Sequence, residues 1–190
     1  MTGKKSTWTY VGAILAGALL LAVLMKVATS RKEKVAMTIQ LTSSAFAEGG
    51  FVPAKYTCDG ENVSPPLQWS GVPGAAKSLA LIADDPDAPA GTWVHWVLYG
   101  LPPTVTELPE KVPATDSLAN GAKQGINDFQ RLGYGGPCPP AGGPHRYFFK
   151  LYALDTEIPL PHGAAKKDLV GAMEGHILAQ GQLMGKYQRP

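Results

Sequence analysis

Glycine and proline punctuate this chain so densely that little room is left for long helices: 22 Gly and 17 Pro stand among its 190 residues. Proline fixes φ and removes a backbone donor, and glycine in a helix interior costs about 1 kcal/mol relative to alanine. The breakers argue against a helical bundle, and the runs between them have the length and composition of strands. Residues 37–46, MTIQLTSSAF, alternate Met37, Ile39 and Leu41 with Thr38, Gln40 and Thr42, which is the period of a half-buried strand. KSLALIADDP carries a continuous apolar run from Leu79 to Ala83, and WVHWVLYGLP is rich in β-branched and aromatic residues until Gly100 and Pro102 stop it. HRYFFKLYALD sets Tyr147, Phe149 and Leu151 on one side and Phe148, Lys150 and Tyr152 on the other. Short strands joined by Pro/Gly-rich connections predict a mainly β protein, an antiparallel sandwich rather than alternating βαβ units.

Two segments depart from that pattern. GAAKKDLVGAMEG spaces Leu169, Val170 and Met173 as a helix does and ends on Gly175, after which HILAQGQLMGKY reads as a final strand with Ile177, Ala179, Leu183 and Tyr187 in register. At the other end, Trp8 to Met25 contains no charged residue and is flanked by Lys4, Lys5 and Lys26. As a helix rising about 1.5 Å per residue it would span roughly 27 Å, close to the hydrocarbon thickness of a bilayer. The sequence thus divides into residues 1–34, expected to form a hydrophobic membrane helix with basic flanks, and residues 35–190, expected to form the sandwich domain. The corresponding expectation for localisation is an anchored, exported domain; the alternative is a secretory signal removed near VATS, residues 27–30.

Charge narrows the classes of partner. Six of the 17 Lys and Arg lie in residues 1–34, against the single acid Glu33, so the remainder is mildly acidic although the whole chain is formally +2. An acidic domain without clustered Lys and Arg lacks the phosphate-neutralising surface that nonspecific nucleic-acid binding draws on. The two cysteines, Cys58 and Cys138, are either reduced or bridged; bridged, they would close a loop of about 80 residues. Neither belongs to a CxxC pair, and two cysteines alone make no structural zinc site. No cofactor is called for.

Chemistry-bearing residues concentrate in two stretches. In ADDPDAPAGTWVHWVLYG, residues 83–100, Asp84, Asp85 and Asp87 run into His95 between two tryptophans. RLGYGGPCPPAGGPHRYFF, residues 131–149, is a Gly/Pro-dense loop that delivers His145 and Tyr147 onto a strand. Glycines let backbone approach a ligand closely and prolines fix loop shape, so the second stretch has the character of a site wall. Asp beside imidazole favours the protonated ring and fixes its orientation, which would make a donor-rich spot for a phosphate or carboxylate. Asp84 is expected to face outward or cap a turn, and Asp85 and Asp87 to reach inward. No GxSxG elbow and no HExxH motif occurs, which argues against the hydrolase classes those motifs mark.

Together with YTCDGENVSPPLQW, residues 56–69, these stretches resemble the bacterial branch of the phosphatidylethanolamine-binding protein family, the Raf kinase inhibitor-like proteins. The resemblance covers roughly residues 37–188 and implies a β-sandwich with short peripheral helices and one small anion-binding pocket. Position by position, Asp85 and Asp87 match the acids of the DPDAP motif and Pro89 its second proline, while Trp93 and His95 match the pocket aromatic and histidine. Pro140 matches a cavity-lining proline, and His145 and Tyr147 match polar pocket groups. Cys138 stands where eukaryotic relatives have glycine, and Val94 where they have a second histidine. The resemblance implies a noncatalytic binder of a small anionic or phosphorylated ligand, such as a phospholipid headgroup, that modulates a protein partner. A regulator acting on a kinase or protease through the pocket rim, and a weak phosphoester or ester hydrolase, are the alternatives.

Overall fold

The computed structural model describes residues 39–190. The apolar segment 8–25 and the boundary expected after residue 34 lie outside the described residues. Among the described residues eight strands form two sheets, and every strand pairing within them is antiparallel. The smaller sheet has the order β1-β2-β5, with β1 at Gln40–Thr42, β2 at Leu67–Ser70 and β5 at Glu107–Leu108. The larger has the order β6-β4-β3-β7-β8, with β3 at Ser78–Asp85, β4 at Trp93–Leu101, β6 at Lys123–Gln124, β7 at His145–Leu154 and β8 at Ile177–Tyr187. One α-helix, α1 at Lys166–Met173, and a 3₁₀ turn at Ala54–Tyr56 complete the regular structure of the described residues.

One expectation is corrected by this architecture. Among the described residues no helix is long and apolar enough to cross a membrane. Their α-helix has eight residues, about 12 Å at 1.5 Å per residue, against the roughly 30 Å of a hydrocarbon core. The described residues are therefore mainly β, two antiparallel sheets and one helix, with no membrane helix among them, and the segment for which one was expected lies outside them.

The layers follow from side-chain alternation. Leu41, Leu67 and Trp69 of the small sheet meet Leu79, Leu81, Trp96, Leu98, Phe149 and Leu151 of the large one in the main core. On the opposite face of the large sheet, Ala80, Ile82, Val97 and Tyr99 are covered by Leu169 and Met173 of α1 and by Ile158. β3 is thus buried on both faces along its whole length, which explains why its sequence is a continuous apolar run rather than an alternating one. β7 and β8, buried on one face, keep the alternation. Val170, spaced with Leu169 and Met173 in the sequence, is 47% exposed: α1 buries only a narrow stripe.

Candidate functional site

The two chemistry-rich stretches meet because β3 and β7 run antiparallel. Their register pairs Ala83 with Phe149 and Asp84 with Phe148, so the end of β3 lies beside the beginning of β7 and brings Asp85 and Asp87 next to His145 and Arg146. Asp85 Oδ2 accepts from His145 Nδ1 at 2.7 Å, and its Oδ1 accepts from the Asp87 amide at 2.8 Å.

A bulge aims His95. Along β4, Trp96 pairs with Ala83 but Val94 pairs with Asp84, so His95 is the extra residue with no cross-strand partner. Bulges bend a strand locally and re-aim its side chains, and they recur beside functional sites. Here the shift turns the imidazole toward Phe129 and Tyr147, with ring centroids 5.4 and 5.2 Å away and edge-on geometry. His95 Nδ1 donates to the Gly135 carbonyl at 2.7 Å, and the Gly135 amide donates back to the His95 carbonyl at 2.8 Å. The bulge is thereby tied to the Gly/Pro-dense loop.

That loop is fastened on its other side to the segment 56–62. Tyr134 Oη donates to the Tyr56 carbonyl, the Gly136 amide to Asn62 Oδ1 and the Cys58 amide to the Pro137 carbonyl. Cys58 and Cys138 are joined by a disulfide. Gly136 is required by this approach: a Cβ there would lie 2.4 Å from the Tyr56 carbonyl oxygen.

The result is a cavity of about 200 Å³. Asp85, His95 and His145 supply its ionisable groups; Pro89, Trp93, Cys138 and Pro140 line it. Ala88, Phe129 and Pro139 line it too and were not singled out by sequence. Phe129 braces both Trp93, at 5.4 Å between centroids, and His95; its only sequence signal was an aromatic just ahead of the glycine-rich loop. Among the described residues no cluster of three or more His, Cys, Asp or Glu is placed to hold a metal ion.

Four expectations change. Asp87 does not line the cavity: Arg146 grips it with Nε at 2.9 Å and Nη2 at 2.7 Å, and this holds its carboxyl at about 2. Tyr147 does not line it either; the ring is buried beside His95. Burial and the neighbouring Asp85 carboxylate push its phenol well above the ordinary range. Asp84 does not face outward: it is 1% exposed and accepts from Lys150 and Lys166 Nζ at 2.7 and 2.5 Å. Alternation puts it on the α1 side of β3, opposite Asp85, and a carboxylate there needs the two ammonium groups. Finally, the carboxylate-bound imidazole is His145, whereas burial pushes the His95 ring below its ordinary value of 6.5, the loop carbonyl and Asp85 opposing this only in part.

Unfolded chains protonate the His95 imidazole below 6.5 and the folded protein does so only at lower pH, so the stabilisation is complete above 6.5 and is lost as pH falls from there to the folded value. Urea unfolding of the wild type and His95→Gln between pH 5 and 8 is expected to show a wild-type decline over this window that is shallower in the variant. Parallel pH profiles would contradict a neutral buried ring.

Two buried polar atoms near the cavity have no hydrogen-bond partner in the protein, Trp93 Nε1 and Tyr147 Oη. Unsatisfied buried donors are uncommon, and one of the two, Trp93 Nε1, belongs to a residue of the cavity wall.

Comparison with known proteins accounts for this arrangement. The family model described as phosphatidylethanolamine-binding protein matches residues 42–188. A UPF0098 protein of Methanothermobacter thermautotrophicus is 57% identical over 151 residues, covering 80% of this chain and 99% of the relative. Among crystal structures, that of a phosphatidylethanolamine-binding protein homolog from Chlamydia trachomatis is similar with a TM-score of 0.74 and 44% identity, covering 82% of this chain and 100% of that one. That of E. coli YbcL, a member of the mammalian PEBP family, is similar with a TM-score of 0.75 and 37% identity, covering 80% and 99%. On this evidence the chain belongs to the phosphatidylethanolamine-binding protein family.

Proposed function

We propose that the protein is a noncatalytic binding module that takes a small phosphorylated or otherwise anionic group, such as a phospholipid headgroup phosphate, into the cavity between β3, β4 and the loop preceding β7. One observation carries the reading: Asp85, His95 and His145, from three separate strands, converge on a small recess whose other walls are proline and aromatic rings. Apolar walls with a few convergent polar groups are the common composition of ligand sites, because the walls exclude water and strengthen the polar contacts. A recess of about 200 Å³ lies below the usual range for drug-sized ligands, which suits a headgroup-sized anion. His145 is the polar group best held for contact, its Nδ1 fixed by Asp85 and its Nε2 left free.

Calorimetric titration of the full chain with inorganic phosphate and with phosphoethanolamine tests this. His145→Ala is expected to weaken both by roughly tenfold or more, the range for losing one charge-assisted hydrogen bond. Unchanged binding in the variant would remove the cavity from consideration.

The Asp85–His145 pair favours a second reading, slow hydrolysis of a phosphoester or ester. A carboxylate on Nδ1 orients an imidazole to act as a base through Nε2. Cys138 is tied up in the disulfide and no serine or threonine lines the cavity, so water would be the attacking group. Turnover of a phosphoester panel that disappears in His145→Ala would favour this reading over simple binding.

A further inference from the structure

The hydrogen-bond polarity of the cavity walls constrains the protonation state of the anion, an inference that rests on the anion-binding reading above. The carbonyl of Gly135 can only accept, so the proton of the His95 ring sits on Nδ1, and in the neutral ring Nε2 keeps a lone pair. Nδ1 is engaged with the loop backbone, so the polar atom that this cavity-lining ring has left is an acceptor. Asp85 adds a second acceptor to the same wall. Its carboxylate accepts from His145 Nδ1 and the Asp87 amide, one bond to each oxygen, and each oxygen has a further lone pair. An anion with lone pairs alone would find a donor in Trp93 Nε1 but would meet an acceptor and a carboxylate on the facing wall. An anion that carries a hydrogen would meet two groups able to take its O–H bond.

We propose that the cavity selects anions that bind as protonated monoanions, dihydrogen phosphate and the monoanions of phosphomonoesters, donating an O–H to Asp85 or His95 Nε2, and that it discriminates against sulfate. The remaining ligand oxygens are left to donors, among them the unpartnered Nε1 of Trp93 on the cavity wall. The charged and titratable groups around the acceptors are few. His145 and Tyr147 face Asp85 from β7, His95 faces it from β4, and Asp128 approaches His95 from the loop after β6. Asp87 is neutralised by Arg146 and turned away. None of these supplies a permanent cation inside the cavity, so charge matching alone cannot hold a dianion there. The match to a monoanion depends on hydrogen-bond direction. A site that pairs with an O–H rejects the analogue lacking it because its own buried acceptors are left facing lone pairs.

The test is calorimetry on the full chain at pH 6 and pH 8 at constant ionic strength, with phosphate, phosphoethanolamine and sulfate as titrants, repeated in two buffers of different ionisation enthalpy. Expected are a net uptake approaching one proton per phosphate bound at pH 8 and sulfate binding at least about 30-fold weaker than phosphate at pH 6. Asp85→Asn, which places a donor where an acceptor stood, is expected to narrow the phosphate–sulfate gap even if both affinities fall. Phosphate and sulfate binding alike without proton uptake overturns the proton-selective site while leaving the anion pocket standing. No heat from any anion at either pH would overturn the anion pocket itself, and this inference with it.

Discussion

Replacing Cys58 and Cys138 together by alanine lowers the unfolding free energy by about 3–4 kcal/mol. The bridge joins residues 80 apart in sequence, and the chain-entropy relation for a loop of that size gives about 4.5 kcal/mol of destabilisation removed from the unfolded side of the balance. The expected value is set lower because unfolded chains retain some compactness. The loop carrying Cys138 keeps its own hydrogen bonds to residues 56–62, those of Tyr134, Gly136 and the Cys58 amide. The folded state therefore keeps its shape near the cavity, and the loss falls on stability more than on binding. Urea denaturation of the oxidised wild type, the reduced wild type and the double variant measures it. A loss under about 1 kcal/mol would mean that those backbone contacts hold the loop unaided.

How far the sequence reached can be judged residue by residue. Strands β3, β4, β7 and β8 were legible because burial imposes a period: alternation where one face is covered, a continuous apolar run where both are. The three motifs identified the family and placed Asp85, His95 and His145 at one cavity. What stayed hidden was whatever depends on a single step of register. Asp84 and Asp85 are adjacent and chemically identical, yet the pleat sends one toward Lys150 and Lys166 and the other toward His145. Asp87 looked equivalent to Asp85 until Arg146, one residue after His145, was seen to take it. The bulge at His95 leaves no mark in composition, although it decides which way the ring points. Protonation is hidden for a related reason: an acid near a histidine in sequence says nothing about which histidine it touches, and burial works against the charged form.

Asp85→Ala is expected to lower stability by about 2–3 kcal/mol and to weaken phosphate binding by roughly tenfold or more. The carboxylate is 3% exposed and satisfies two donors, His145 Nδ1 and the Asp87 amide. Alanine leaves both without partners in a site that admits little water, and each unsatisfied group costs about 1–3 kcal/mol. Part of that is recovered because His145 can turn toward solvent once released, so the sum of the two is an upper bound. The sign of the binding effect is not obvious, since removing a negative charge beside an anion ought to help. Two losses oppose the gain: the acceptor for a protonated ligand disappears, and the His145 ring loses the contact that holds Nε2 in place. Charge-assisted hydrogen bonds contribute about 1.5–3 kcal/mol each, more than a like-charge repulsion screened by the open mouth of the cavity, so the losses should dominate. Asp87→Ala provides the contrast. Its partner Arg146 is half exposed, and a pair of that kind contributes under about 1 kcal/mol, with phosphate affinity left within about twofold of wild type. Tighter phosphate binding in Asp85→Ala would show that the carboxylate only repels the ligand, and its role as acceptor would then have to be given up.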